Sequence, residues 1–375
     1  MSTSRELVRQ AMDLGTPDRV PLMCQLSIGH MLLQLGVSPV EFWHEEEVFA
    51  EGLVRIREIY DFDGILVSLH GHDRNWKQGI QARLKLADGE EVVWNDGRRV
   101  LYLIYDLPQP LNEENQRPDL ADFSLESLPL TLDYIPVSQG LRFKIDPEHP
   151  FDVFRRVRKT AGSDFSVHGE ITSPFDYFLD LFGHQEGLLG LLNEPEKSKQ
   201  ILGHFAGLVK QLAVEMCDED IDAIKVSSPF AGSGFISPAF YEEFVLPFEG
   251  EIARAVRNKG IHIYTHTCGA ISDRLELLFD AGVSGIECLD PPPLGNVELA
   301  DAKKRTAGRG FIKGNIDSVH TLLNGSEGEI LEDARKRIEA GTKGGGFILS
   351  TACSVAPRVR RESLMLLREA VEKWG

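Results

Sequence analysis

The stretch "IHIYTHTCGAISDRLELLFDAGVSGIECLD", residues 261–290, sets the reading of the whole chain. It opens with a β-branched run (261–269) and continues as an amphipathic segment (271–282) that ends in glycine. It closes on a short apolar run (285–290). Period two gives way to helical spacing and returns, the pattern of a strand, a crossover helix and a parallel strand. The same alternation recurs along the chain. Further strand-like runs are "VPLMCQLS" (20–27), "DGILVSLH" (63–70), "FSVHGEIT" (165–172), "AIKVSSPF" (223–230), "GFIKGNID" (310–317) and "GGFILSTACS" (345–354). Helical patterns such as "EILEDARKRIEAG" (329–341) separate them. Eight strands alternating with helices predict an α/β fold, a (β/α)8 TIM barrel.

One interruption stands out. "ARLKLADGEEVVWNDGRRVLYLIYD" (82–106) alternates with period two around Asp88-Gly89 and Asn95-Asp96-Gly97. This predicts antiparallel hairpins inserted after strand two. Residues 107–150, rich in proline and acidic side chains, read as a segment covering the barrel mouth. No internal repeat or long linker divides the 375 residues, so we expect a single domain over 1–375 with 82–150 as its insertion.

Charge and composition narrow the function. A net charge of −18 disfavours contact with phosphate backbones, so no nucleic-acid partner is expected. No run approaches the ~20 apolar residues of a membrane span. The N-terminal "MSTSRELVRQAMDLG" reads as an amphipathic helix without a signal peptide's apolar core, and a cytoplasmic location is expected. Five widely spaced cysteines, at 24, 217, 268, 288 and 353, do not suggest a disulfide framework.

Polar residues gather at the C-terminal ends of the predicted strands, the face on which such barrels carry their sites. Glu170, Thr172, Ser227, His266, Cys268, Glu287, Asn315, Asp317 and Cys353 all fall there. His266 and Cys268, two apart on a strand, share a face with Cα atoms ~6.6 Å apart, within reach of one zinc ion. For that pair alone, the competing reading is a satisfied core histidine beside an inert thiol. Cys353 at the end of strand eight and Glu287 at the end of strand six complete a His-Cys-Cys-carboxylate set suited to tetrahedral zinc. Cys288, next to Glu287, is expected to face the helices. Cys217 and Cys24 read as buried thiols.

The segments "TPDRVPL", "GEITSPFDYFLDLFG", "HTCG", "FIKGNID" and "GGFILSTACSVAP" resemble the uroporphyrinogen decarboxylase superfamily. Within it, the His-x-Cys…Cys pattern resembles the zinc-dependent methyltransferases that work with corrinoid proteins, the methylcobamide:coenzyme M type. A similar order of ligands occurs in cobalamin-independent methionine synthase. The resemblance implies zinc held by His266, Cys268 and Cys353, with Glu287 as the fourth ligand. It also implies a methyl-corrinoid carried by a partner protein, and a small-molecule thiol or methyl donor as the second substrate. Glu170, Asn315 and Asp317 join Glu287 as expected catalytic residues, although a buried hydrogen-bonded carboxylate (Glu170) and a loop cap (Asp317) compete. His70, His72 and Arg358 are the expected cofactor-binding residues; a solvated helix start is the duller reading of Arg358. The run after strand one, "MCQLSIGHMLLQLG" (23–36), lacks the arginine-bearing signature with which a true uroporphyrinogen decarboxylase holds its substrate's carboxylates. Two other readings stand beside methyl transfer: a metal-free tetrapyrrole decarboxylase, and a non-catalytic barrel that docks a corrinoid protein.

Overall fold

The strands that pair in parallel are those with few polar side chains to solvate, because helices cover them on one side and the sheet curls over the other. In a computed structural model describing residues 2–112, 117–137 and 140–375, the chain forms thirteen strands. They are β1 (Gly64–Val67), β2 (Ile80–Leu86), β3 (Gly89–Trp94), β4 (Arg99–Leu103) and β5 (Gln109–Pro110). Next come β6 (Tyr134–Pro136), β7 (Arg142–Lys144), β8 (Ser166–Thr172), β9 (Ala223–Ser227) and β10 (His262–Thr267). The last three are β11 (Gly285–Cys288), β12 (Phe311–Ile316) and β13 (Phe347–Thr351). Seven of them build one curled parallel sheet in the order β1-β8-β9-β10-β11-β12-β13. Every residue of β11, β12 and β13 is buried.

The helices between strands start where the sequence offers a cap. Ser326 and Glu329 form a reciprocal capping box at the helix Glu327–Gly341, and Ser237 precedes Pro238 at the helix Pro238–Phe244. The helix expected over 271–282 is shorter, Leu275–Asp280, because a 3-10 turn over Ser272–Arg274 precedes it. A Thr3–Glu6 capping box starts the N-terminal helix Ser4–Met12, and its Arg5 donates to Asp222 (2.9 Å) just before β9. Among the described residues, no helix is long and apolar enough to cross a membrane.

The run at 20–27, expected as a barrel strand, is instead an extended segment with two isolated parallel bridges, Leu22 to Leu349 and Leu26 to Val355. The reason lies in its hydrogen bonding. Pro21 has no amide hydrogen, and the Leu22 amide donates to the Asp63 carboxylate (2.7 Å) rather than to a strand carbonyl. On its other side the Asp63 amide reaches the Leu22 carbonyl (2.8 Å), so the segment still lies between β13 and the approach to β1.

Between β1 and β8 the chain leaves the sheet. β2 to β5 form an antiparallel sheet in sequence order, with turns at Ala87-Asp88 and at Gly97, and β6 pairs with β7. Gly97 has a φ of 88°, which the turn residue tolerates because it has no Cβ. Val92, Trp94, Val100 and Tyr102 bury the inner face of this sheet.

Under the insertion, the chain just past β1 buries two of the histidines expected at the cofactor pocket. The His72 ring is wedged between Phe49 and Phe143, at centroid distances of 5.1 and 5.0 Å, and neither of its nitrogens has a hydrogen-bond partner. His70 lies beside Phe151 and meets only the Pro150 carbonyl (3.2 Å). Burial pushes His70 down to about 4; burial, with His44 and His70 nearby, pushes His72 down to about 3. Both rings therefore stay neutral in the fold but protonate near 6.5 once unfolded. Stability is fully present above that value and is lost as pH falls below it. Each ring should cost about 2 kcal/mol between pH 7 and pH 5. His72→Phe is expected to remove about that much of the pH dependence of the unfolding free energy, read from urea denaturation at the two pH values. An unchanged slope would contradict a neutral, buried His72.

Candidate metal centre

Three adjacent strands set the site. In the parallel register, His266 on β10 stands level with Glu287 on β11, and Glu287 stands level with Lys313 on β12. The His266 Nδ1–H donates to Glu287 Oε2 (3.0 Å), which leaves Nε2 with its lone pair directed away from the carboxylate. Nε2 lies 3.3 Å from Cys268 Sγ, and Cys268 Sγ lies 3.7 Å from Cys353 Sγ. Two thiolates on one tetrahedral zinc would sit ~3.8 Å apart, and an imidazole nitrogen ~3.6 Å from each sulfur. The donor spacing fits such an ion.

A further thiol stands beside the expected residues. His266, Cys268, Cys288 and Cys353 all place a ligand atom within 4.8 Å of one another. Glu287 places one oxygen on His266 and the other on Lys313. Strict alternation would turn Cys288 away from this face, but its backbone takes a left-handed φ of 85°, followed by Leu289 at 57°. That break at the end of β11 brings its thiol to the cluster, 3.2 Å from Asp290 Oδ2, which also accepts from the Gly269 amide (2.7 Å). Asn315 holds the break in place by donating to the Leu289 carbonyl (2.7 Å).

Two buried lysines balance the carboxylates beneath. Lys225 on β9 contacts Glu170 (3.0 Å) and Gln25 (2.9 Å) and approaches Glu287 (3.9 Å); Lys313 pairs with Glu287. Against the upward push of burial, Lys313 and Lys225 hold Glu287 well below the ordinary carboxylate range. Burial alone would lower Lys225, but Glu170 and Glu287 raise it. Hydrogen bonds from Cys268 and Cys288 pull the Cys353 thiol down. Cys24 is the contrast: burial pushes it up to about 12, which makes it an inert thiol.

The cluster opens on a cavity of about 510 Å³. His266, Cys268 and Cys353 form part of its wall; Glu170, Thr172, Asp176 and Ser227 line it nearby. Of the other expected site residues, Asp317 caps its own loop, accepting from the Val319 and His320 amides. Arg358 is exposed over the Tyr105 ring, at 5.9 Å. His70 and His72 are buried and do not line the cavity. Sequence reasoning missed Cys288, Lys225, Lys313 and Asp176. The lysines carried a signal: a charge in the middle of a strand buried on both faces needs a partner.

Residues 142–374 match the family described as Uroporphyrinogen decarboxylase (URO-D). A methylcobamide:CoM methyltransferase, MtbA, of Methanosarcina mazei is 22% identical over 99% of this chain and 98% of its own length. A second, MtaA of Methanosarcina barkeri, is 24% identical over 60% of this chain, and the match spans only 62% of that relative's length. A solved structure of a methyltransferase from Methanosarcina mazei superposes with a TM-score of 0.72 at 16% identity, covering 100% of this chain and 99% of that one. Since the family match extends over more than half of its residues, the chain belongs to the uroporphyrinogen decarboxylase family.

Proposed function

We propose that this chain is a zinc-dependent methyltransferase that moves a methyl group between a corrinoid protein and a thiol or other small methyl carrier, on a sheet that residues 20–27 complete as a (β/α)8 barrel. The observation that carries the reading is the convergence of His266 Nε2 with the Cys268 and Cys353 sulfurs at the wall of the cavity. The names of the Methanosarcina relatives support the corrinoid partner. His266, Cys268 and Cys353 would hold the ion, with Cys288 in reach as the fourth ligand in place of Glu287. A bound zinc would keep a thiol deprotonated at neutral pH while leaving its sulfur electron-rich.

The protein's own groups supply orientation and charge control. Glu287 fixes the His266 tautomer, so Nε2 is the free donor. Glu170 and Glu287 are matched by Lys225 and Lys313, so the buried charges beneath the cluster balance. The cavity wall holds the methyl carrier against the cluster, and an in-line methyl transfer gains most from such positioning.

Purified protein is expected to carry about one zinc per chain, and Cys268→Ala and Cys353→Ala to lose most of it, measured by plasma mass spectrometry. Mixed with a methyl-corrinoid and a thiol, the zinc-loaded protein should consume the methyl-corrinoid spectrum while Cys353→Ala does not. Active, metal-free protein would refute the zinc reading. Glu287→Gln leaves Lys313 without its counter-ion. It is expected to lower the unfolding free energy by about 3 kcal/mol and to weaken zinc about 10–100-fold, by urea denaturation and chelator competition. No change in either would mean that Glu287 neither orients His266 nor neutralises the lysine.

A further inference from the structure

The insertion between β1 and β8 borders a second cavity, of about 490 Å³, that methyl transfer does not use. Its walls come from β3, β4, the hairpin of β6 and β7, and the chain around residues 43–44 and 73–79. Among the described residues, it shares only Trp43 and Gly140 with the cavity at the sulfur cluster. Three of the chain's four tryptophans, Trp43, Trp76 and Trp94, line it, together with Tyr102, Tyr134 and Phe143. Small-molecule sites span roughly 300–1,000 Å³ and are walled mostly by such side chains. The fold needs these rings only to cover one another. Here they also front an open space, which the ring of a ligand can fill by offset or edge contacts.

Two kinds of ligand suit an aromatic wall: a cation held by the ring faces, or a flat aromatic ring. The charges decide between them. Arg98, Arg142 and Lys144 line the cavity against one acid, Asp73, in a chain whose net charge is −18. Asp73 accepts from the Asn75 amide (2.7 Å). Arg142 is held by Asp180 (2.7 Å) and lies 4.5 Å over the Tyr134 ring. Arg98 stands 5.6 Å over the Trp94 ring and makes a surface pair with Asp96 (2.8 Å), both side chains being more than half exposed. Such a pair is weak and yields readily to a ligand. Lys144 is exposed and forms no ion pair among the described residues. Its charge and that of Arg98 are open to an anion, and both repel a cation. His44 adds no charge: its ring lies flat on Trp76 (centroids 5.1 Å apart, planes at 19°), with Nε2 on the Tyr102 hydroxyl (2.7 Å). Burial, with Arg98 nearby, pushes it down to about 3, which keeps the ring neutral.

We propose that this cavity binds a planar heteroaromatic anion of nucleotide size, with its ring against the tryptophan wall and its anionic group on Lys144 and Arg98. The site stands apart from the sulfur cluster, so the proposal does not rest on the methyl-transfer reading. Neither half of the ligand suffices alone. A lysine or arginine that stays in water gains little from an anion, and the ring supplies the apolar contact that fixes it in place.

The test titrates the purified full chain with AMP, GMP, CMP and UMP, with the four parent nucleosides and with choline, by isothermal titration calorimetry. At least one monophosphate is expected to bind with a Kd below about 1 mM, its nucleoside about tenfold more weakly, and choline not measurably. The bound monophosphate should also change the tryptophan fluorescence, since Trp374 is the one tryptophan outside the cavity wall. Lys144→Ala, at an exposed position that the fold does not need, should weaken the monophosphate several-fold and leave the nucleoside unchanged. Trp76→Ala should weaken both, and if it does not fold, Lys144→Ala decides alone. Failure of all four monophosphates to bind, or choline binding more tightly than they do, overturns the ligand class. A monophosphate Kd unchanged in the variants that fold overturns the site.

Discussion

The Glu287 carboxylate, with one oxygen on His266 and the other on Lys313, is the interaction on which the site depends. It exists because three neighbouring parallel strands are in register at that level. The same register places Glu170 of β8 beside Lys225 of β9, and Lys225 beside Tyr264 of β10. Acid and base therefore alternate across the sheet, with β10 between the two pairs. A shift of one residue in any of these strands would turn its charged side chain to the opposite face and leave a buried ion alone.

Much of this was legible in the sequence, because period two carries both the strand and the face. His266 and Cys268 point the same way for that reason alone, and Cys353 joins them because it lies just past the end of a later strand. Cys288 was not legible. Its position after Glu287 predicts the opposite face, and only the left-handed turn at 288–289, held by Asn315, overrides that. The run at 20–27 has strand composition, yet the carboxylate of Asp63, forty-one residues away, takes a hydrogen bond that a strand neighbour would have taken.

His70 and His72 make the complementary point. Their spacing imitates that of His266 and Cys268, but Phe49 and Phe143 close over His72 from distant parts of the chain. Whether a histidine becomes a ligand or a neutral core ring is decided by what packs against it, and spacing does not encode that. The cysteines divide in the same way. Cys24 and Cys353 both border the cavity, but only Cys353 has sulfur and imidazole neighbours that stabilise its thiolate.

The alternating row of Glu170, Lys225, Glu287 and Lys313 also constrains how this sheet can be inherited. Each of the four is the counter-ion of another, and both lysines and Glu287 are almost wholly shielded from water. Exchange of one for an apolar residue strands its partner, whereas exchange of a matched pair does not. Descendants of this chain can therefore keep the row or lose it pair by pair, and the four positions should vary together across a lineage even where the surrounding strand residues drift independently.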